Sequence, residues 1–138
     1  MEEISRLQFE IRRWSDSAFG EGRSPVPVLN HLAKEVKELI EAIESEKNFY
    51  KTADSELIGD GRDGHWKLTE TASKQARELQ HNVIEEMADC FIILMEAYAL
   101  YPITMPAVIK AVKAKMEINK KRKWGKPDEN GVIEHIEE

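Results

Sequence analysis

The stretch that decides the fold is NVIEEMADCFIILMEAYAL, residues 82–100. From Val83 onward, its apolar residues predict a buried helix, yet Glu85, Glu86 and Asp89 stand at the front end of the apolar run. An ionised carboxylate is costly to bury unless another group compensates its charge. The stretch therefore predicts a core helix whose acids need a partner.

Three further segments carry apolar residues at helical spacing. They cover residues 2–17, about 28–46, and 104 to just before Gly125, while the helix of the quoted stretch extends over about 71–99. Thr104 is a plausible N-cap, and Pro106 fits the first turn of the last helix. Residues 47–69 show little periodicity and predict a long loop or insertion. We predict an all-α, four-helix bundle that forms one domain over residues 1–138.

Composition narrows the class of protein. The 138 residues carry a formal net charge of −6, which disfavours general nucleic-acid binding despite the locally basic KAKMEINKKRK near the C-terminus. We recognise no secretion signal and no apolar stretch long enough to cross a bilayer. We therefore expect a cytoplasmic protein that binds neither nucleic acid nor membrane. Its one cysteine, Cys90, is expected to be a small buried apolar residue.

Two pairs of carboxylates are spaced at i and i+3, which places each pair on one helix face. Glu35 and Glu38 lie in the second helix, and Glu86 and Asp89 lie in the third. One such pair alone is equally typical of a solvated helix face. Two facing pairs, however, would bring four negative charges together, and such charges need cations. Hard divalent ions such as Mg²⁺ meet that need; nearby alternates to the four ligands are Glu41 and Glu85.

The last helix offers the opposite charge. Lys115, Asn119 and Arg122 follow at i, i+4 and i+7, a stripe of donors suited to a polyphosphate. Basic residues at a helix C-terminus also complement the helix dipole, and this alternative stays open. Flat surfaces for stacking a nucleobase could come from several aromatic side chains, namely Trp14, Phe19, His31 and Trp124.

Two segments together resemble a known family signature. HLAKEVKELIEAI (31–43) and EEMADCFIILMEA (85–97) resemble the E-x-x-E … E-x-x-D pattern of MazG-like all-α nucleoside triphosphate pyrophosphohydrolases. RRWSDSAFGEG (12–22) and KMEINKKRKWGKPDENGVIEHIEE (115–138) look like the phage and bacterial branch described as dATP/dGTP diphosphohydrolases. The resemblance covers most of the chain outside roughly residues 47–80.

This resemblance implies a MazG-like bundle that hydrolyses nucleoside triphosphates, purine deoxynucleotides such as dATP and dGTP above all, to monophosphate and pyrophosphate. It implies two or more Mg²⁺ ions per site, which Mn²⁺ could replace, and assembly as a homodimer or homotetramer. The metal ligands carry over onto Glu35, Glu38, Glu86 and Asp89. The substrate-binding residues carry over onto Trp14, His31, Lys115, Asn119 and Arg122.

The mechanism that follows is attack of water on the α-phosphorus, with Glu35 or Glu38 as the catalytic base. Lys115 and Arg122 would offset charge on the departing pyrophosphate.

The spacer between Glu38 and Glu86 is longer than is usual in this branch, so we expect an insertion beside the site that acts as a lid or reshapes the base pocket. The alternative is a non-catalytic helical module that binds a nucleotide or a partner through the same stripes.

Overall fold

The computed structural model describes residues 2–53, 57–58 and 67–136. Four α-helices account for most of it, as predicted: α1 (Glu2–Phe19), α2 (Pro25–Thr52), α3 (Glu70–Leu100) and α4 (Met105–Lys121). Two short strands, β1 (Leu57–Ile58) and β2 (Lys67–Leu68), lie between α2 and α3 and pair antiparallel. The predicted all-α, four-helix architecture is confirmed.

The helices begin where the sequence offers capping groups. The Ser24 hydroxyl accepts a hydrogen bond from the Val26 N–H at 3.2 Å, and Pro25 opens α2. The Thr69 hydroxyl accepts from the Ala72 N–H at 3.1 Å at the start of α3. Thr104 is the N-cap of α4, as predicted, but its side chain makes no capping hydrogen bond. Such bonds satisfy backbone donors that a helix start otherwise leaves unpaired.

Helices α2 and α3 form the main packed pair of the molecule. Small side chains are buried along them: Ala42 in α2, and Ala72 and Ala76 in α3. Small residues at a contact let two helix axes approach closely. The pairing therefore brings the polar faces of α2 and α3 near each other as well.

The apolar core lies elsewhere, at the junction of α1, the second half of α3, and α4. Ile11, Met95 and Met105 are buried there.

The prediction that the 82–100 helix is buried along its whole apolar run is wrong for its front half. Ile84, Met87 and Phe91 are 57%, 50% and 41% exposed in the single chain. Cys90 is only partly buried, contrary to expectation, and it is a free thiol.

Most of the long spacer between the two carboxylate pairs belongs to α2 and α3, and the predicted 47–69 loop is wrong at residues 47–52, which are helical. Helix α2 continues to Thr52, and α3 starts at Glu70. At 1.5 Å per residue, the connection between them begins roughly 25 Å along α2 from Glu35. The helix ends that flank this connection, Thr52 and Glu70, therefore lie away from the carboxylates of the same chain, and the expected lid stays a prediction. Residues 54–56 and 59–66 of the predicted loop lie outside the described residues.

None of the four helices is long and apolar enough to cross a membrane by itself. Only α3 and α4 taken together have the required length and composition, and they are bent by 111° at their junction. Core helices of compact proteins commonly share that composition.

Replacing Thr69 with alanine is expected to lower the free energy of unfolding by about 1 kcal/mol, because the Ala72 N–H loses its capping acceptor. Thr104→Ala is the matched control, since its hydroxyl makes no such bond. Urea unfolding followed by circular dichroism measures both. Equal losses in the two variants would contradict the assigned role of the Thr69 hydroxyl.

Candidate functional site

Three of the four predicted metal ligands come together across the α2–α3 pair. Carboxylate oxygens of Glu35, Glu86 and Asp89 all lie within 4.8 Å of one another. The i, i+3 spacing turns Glu86 and Asp89 toward α2, and the close helix packing brings Glu35 to meet them. Glu38 is near enough for its charge to act on Glu86. We call these four residues the acid cluster.

The charges of the acid cluster are not balanced within it. Glu86 has its pKa raised from the usual 4.5, first by partial desolvation and then by the negative charges of its neighbours, which are Glu38, Asp89, Glu35 and Glu85. Like charges at short range disfavour ionisation. A bound cation would reverse that effect, because it favours the ionised form of each ligand.

The acids of the cluster are open to solvent to different extents. Glu35 and Glu86 are partly buried, whereas Glu38 and Asp89 are exposed. Ile84 and Met87, which lie beside these acids on α3, are themselves exposed in the single chain. An ion or a substrate can therefore reach the cluster from solvent.

His31 is attached to the acid cluster through Glu35. Its Nε2 atom lies 2.8 Å from Oε1 of Glu35, one helical turn further along α2. The His31 side chain is largely exposed, while that of Glu35 is mostly covered. His31 thus restrains one carboxylate of the cluster.

A cavity of about 700 Å³ lies beside the acid cluster, between α1, α2 and α3. Its size is within the range of small-molecule sites. Acid-cluster residues form one part of its lining, and aromatic and apolar residues form the rest. Six of the lining residues carry the argument below: Trp14, Phe19, His31, Glu35, Asp89 and Glu96.

The aromatic wall of this cavity comes from α1. The rings of Trp14 and Phe19 meet edge to face, with centroids 5.5 Å apart and planes at 83°. The Arg23 guanidinium lies 5.3 Å from the centroid of the Phe19 ring. Both rings remain largely exposed in the single chain. They offer π-surfaces to a flat ligand that enters between the helices.

Glu96 is a cavity residue that sequence reasoning missed. It is buried, with 6% of its surface exposed, and its Oε1 lies 2.7 Å from Nη1 of Arg23. Arg23 also donates to the fully buried Ser15 hydroxyl at 2.7 Å. The only signal for it in the sequence is an acid within an apolar run. Its partner Arg23 lies in the loop after α1, far away in sequence.

The predicted phosphate-binding stripe lies apart from the cavity. Helix α4 packs against α1 and ends at Lys121, so Arg122 is its extended C-cap residue. The Arg122 Nη1 donates to Oδ1 of Asn119 at 3.1 Å, while Lys115 is exposed. None of the three lines the 700 Å³ cavity. Within one chain, Trp14 and His31 therefore line the cavity beside the acid cluster, whereas the basic stripe lies outside that cavity.

The donor set of the acid cluster fits a hard divalent cation. Three carboxylates offer converging oxygen atoms, and among the described residues only exposed His31 is paired with one of these three. Oxygen-only ligands with several negative charges are typical of Mg²⁺ and Mn²⁺ sites.

A model of the dATP/dGTP pyrophosphohydrolase family matches residues 68–138, just over half of the chain. No curated protein and no solved structure gives a significant match. The matched part begins at β2 and includes α3 and α4, so it contains Glu86 and Asp89 but leaves α1 and α2 outside.

Glu86→Gln is expected to raise the melting temperature of the metal-free protein at neutral pH, because it removes a charge that its neighbours repel. The raised folded-state pKa means that the contribution of Glu86 to stability is greatest below the usual carboxyl pKa and is lost as pH rises through the raised value. The variant should show less of this fall. It should also gain less from added Mg²⁺ than the wild type does.

Melting curves of the wild type and of Glu86→Gln, recorded against pH with chelator and with Mg²⁺, measure these differences in stability. Glu78→Gln is the matched control on the same helix, since Glu78 is exposed and pairs only loosely with Lys74 at 3.9 Å. A lower melting temperature of Glu86→Gln in chelator at neutral pH would contradict the repulsion argument.

Proposed function

This chain belongs to the dATP/dGTP pyrophosphohydrolase family, and from that premise we propose that it hydrolyses purine deoxynucleoside triphosphates with the help of Mg²⁺. The products are the nucleoside monophosphate and pyrophosphate. The observation that carries the proposal is the meeting of Glu35, from α2, with Glu86 and Asp89, from α3. Helix α2 lies outside the part matched by the family model, so the approach of Glu35 to Glu86 and Asp89 supports the proposal separately from the family match.

We assign the divalent cations to the acid cluster of Glu35, Glu38, Glu86 and Asp89. When bound, two or more Mg²⁺ ions would neutralise the triphosphate and favour ionisation of an attacking water. Mn²⁺ has similar ligand preferences and is expected to substitute. The raised pKa of Glu86, caused by desolvation and then by its acidic neighbours, supports this assignment because a cation relieves the repulsion.

The catalytic base is assigned to α2. Attack on the α-phosphorus requires a group that accepts the proton of the incoming water, and we propose Glu35 or Glu38 for this role. His31 restrains the Glu35 carboxylate from 2.8 Å, which favours Glu38 as the freer of the two. Trp14 and His31 would contact the nucleoside, because both line the cavity beside the acids.

We propose that Lys115, Asn119 and Arg122 bind the phosphates and stabilise the leaving pyrophosphate. The hydrogen bond from Arg122 to Oδ1 of Asn119 leaves the Asn119 amide N–H groups pointing elsewhere, available as donors. Because the stripe does not line the cavity of its own chain, we propose that it serves the acid cluster of a second copy.

Exposed apolar side chains support such an assembly, a homodimer or a homotetramer. Large apolar residues at least 39% exposed occur on all four helices of the single chain, and a monomer rarely exposes so many. On α2 and α3 they flank the acid cluster, as Val36 and Met87 do. We further propose that residues 1–138 act as one domain and that the protein works in the cytoplasm, where nucleotide pools are found.

Incubation with each of the four dNTPs and four NTPs, with Mg²⁺ or with chelator, tests the activity directly. Chromatography should resolve monophosphate and pyrophosphate only when metal is present, with purine deoxynucleotides turned over fastest. Release of orthophosphate as the primary product would contradict attack at the α-phosphorus. Turnover in chelator would contradict the metal assignment.

Glu38→Gln and Asp89→Asn are each expected to lower kcat by about 100-fold or more, because one loses a base or ligand and the other a ligand. Both variants should keep the helical circular dichroism of the wild type, since Glu38 and Asp89 are exposed. Glu78→Gln should retain full activity. Near-normal turnover in both site variants would rule out the acid cluster as the reaction centre.

Co-expression of Asp89→Asn with Arg122→Ala tests the shared site. Mixed assemblies contain one site with an intact acid cluster and an intact stripe, so their activity should exceed that of either variant alone. Pyrophosphate release by separately purified variants and by the co-expressed pair gives the comparison. No gain would indicate that each chain builds its site alone.

A further inference from the structure

Glu96 lies at the part of the cavity away from the acid cluster. It follows Asp89 by seven residues, or two turns of α3, so both side chains project from a similar side of the helix. The axial separation is about 10 Å. That length is comparable to the distance from the α-phosphate to the far edge of the base in an extended nucleotide. Both residues line the same cavity.

The Glu96 carboxylate is held by charge but is not saturated with hydrogen bonds. Its Oε1 lies 2.7 Å from Nη1 of Arg23, yet this oxygen has no hydrogen bond of good geometry among the described residues. Oε1 is enclosed beside the guanidinium, and the Glu96 residue lines the cavity. A carboxylate has about four acceptor positions. Because the ion pair with Arg23 does not fill these positions, the cavity-lining Glu96 carboxylate can accept hydrogen bonds from a ligand.

Arg23 fixes where that carboxylate stands. Its Nη2 donates to the buried Ser15 hydroxyl at 2.7 Å, and its Nε donates to the Gly20 carbonyl at 2.9 Å. Gly20 has a positive φ of 89°, a backbone conformation that glycine adopts without strain. The same guanidinium lies 5.3 Å from the centroid of the Phe19 ring. Arg23 thus holds the Glu96 carboxylate and the aromatic wall in one fixed relation.

We propose that Glu96 is a specificity-determining residue that accepts hydrogen bonds from the Watson–Crick edge of the bound base and thereby favours guanine over adenine. This proposal rests on the proposed function and deepens it. Guanine presents two donors side by side, N1–H and the N2 amino group, toward such an acceptor. Adenine presents only its N6 amino group beside the lone pair of N1, which a carboxylate repels. An acceptor-only group therefore discriminates between the two purines.

The test compares kcat/KM for dGTP, dITP and dATP in the wild type and in Glu96→Gln, all with Mg²⁺. Wild type should prefer dGTP to dATP by about tenfold or more, with dITP between them because it lacks the N2 amino group. The glutamine amide can donate to N1 of adenine and accept from its N6 amino group. The dGTP to dATP ratio should therefore fall about tenfold or more in the variant.

The ratio separates base reading from a merely structural role, because loss of the Arg23 pairing alone would slow all three nucleotides alike. Glu78→Gln, an exposed acid on the same helix, should leave the ratio unchanged. Should Glu96→Gln fail to fold, the wild-type series decides by itself. Equal kcat/KM for dGTP, dITP and dATP in the wild type overturns the proposal, as does an unchanged ratio in a folded variant. Release of no pyrophosphate from any nucleotide overturns the proposed function, and this inference with it.

Discussion

The mutual repulsion of carboxylates across the α2–α3 pair is the constraint on which the site depends. Glu35, Glu86 and Asp89 bring their oxygens within 4.8 Å of one another without a cation among the described residues to balance them. Small side chains such as Ala42 and Ala76 make the helix pairing close, and close pairing makes the repulsion strong. The stability of the helix pair and its affinity for divalent cations are therefore two results of the same packing.

Helix α1 adds a cavity to this arrangement. It packs beside the acid cluster of α2 and α3 and lines the cavity with the aromatic rings of Trp14 and Phe19. The Arg23 guanidinium connects the loop after α1 to α3, because its Nη1 lies 2.7 Å from Oε1 of Glu96. In the function that we propose, phosphate chemistry and base recognition would both use the same helix, α3. The spacing of Asp89 and Glu96 along that helix would then set the length of ligand that fits.

The sequence was informative where function follows from local spacing, and less so where it follows from tertiary contact. Apolar periodicity predicted the four helices, and i, i+3 spacing identified the acids that meet. The exposure of Ile84 and Phe91 was missed, because periodicity marks a face that must be covered without saying whether the same chain covers it. The pairing of Arg23 with Glu96 joins residues far apart in sequence, and no local pattern indicates it. The start of the predicted insertion, residues 47–52, proved to be helical because SEKNFYKT, residues 45–52, has no helix-breaking residue to end α2 earlier.

The length of the α2–α3 hairpin has a consequence for how this protein can vary. The connection between the helices begins roughly 25 Å from the carboxylates along α2, so α2 and α3 form a spacer arm between them. Sequence added or exchanged at the tip of that arm leaves the spacing of Glu35, Glu86 and Asp89 unaltered. The tip is therefore a place where the sequence can change or lengthen during evolution. It is equally a place to attach a fluorophore or an affinity tag without altering the acid cluster.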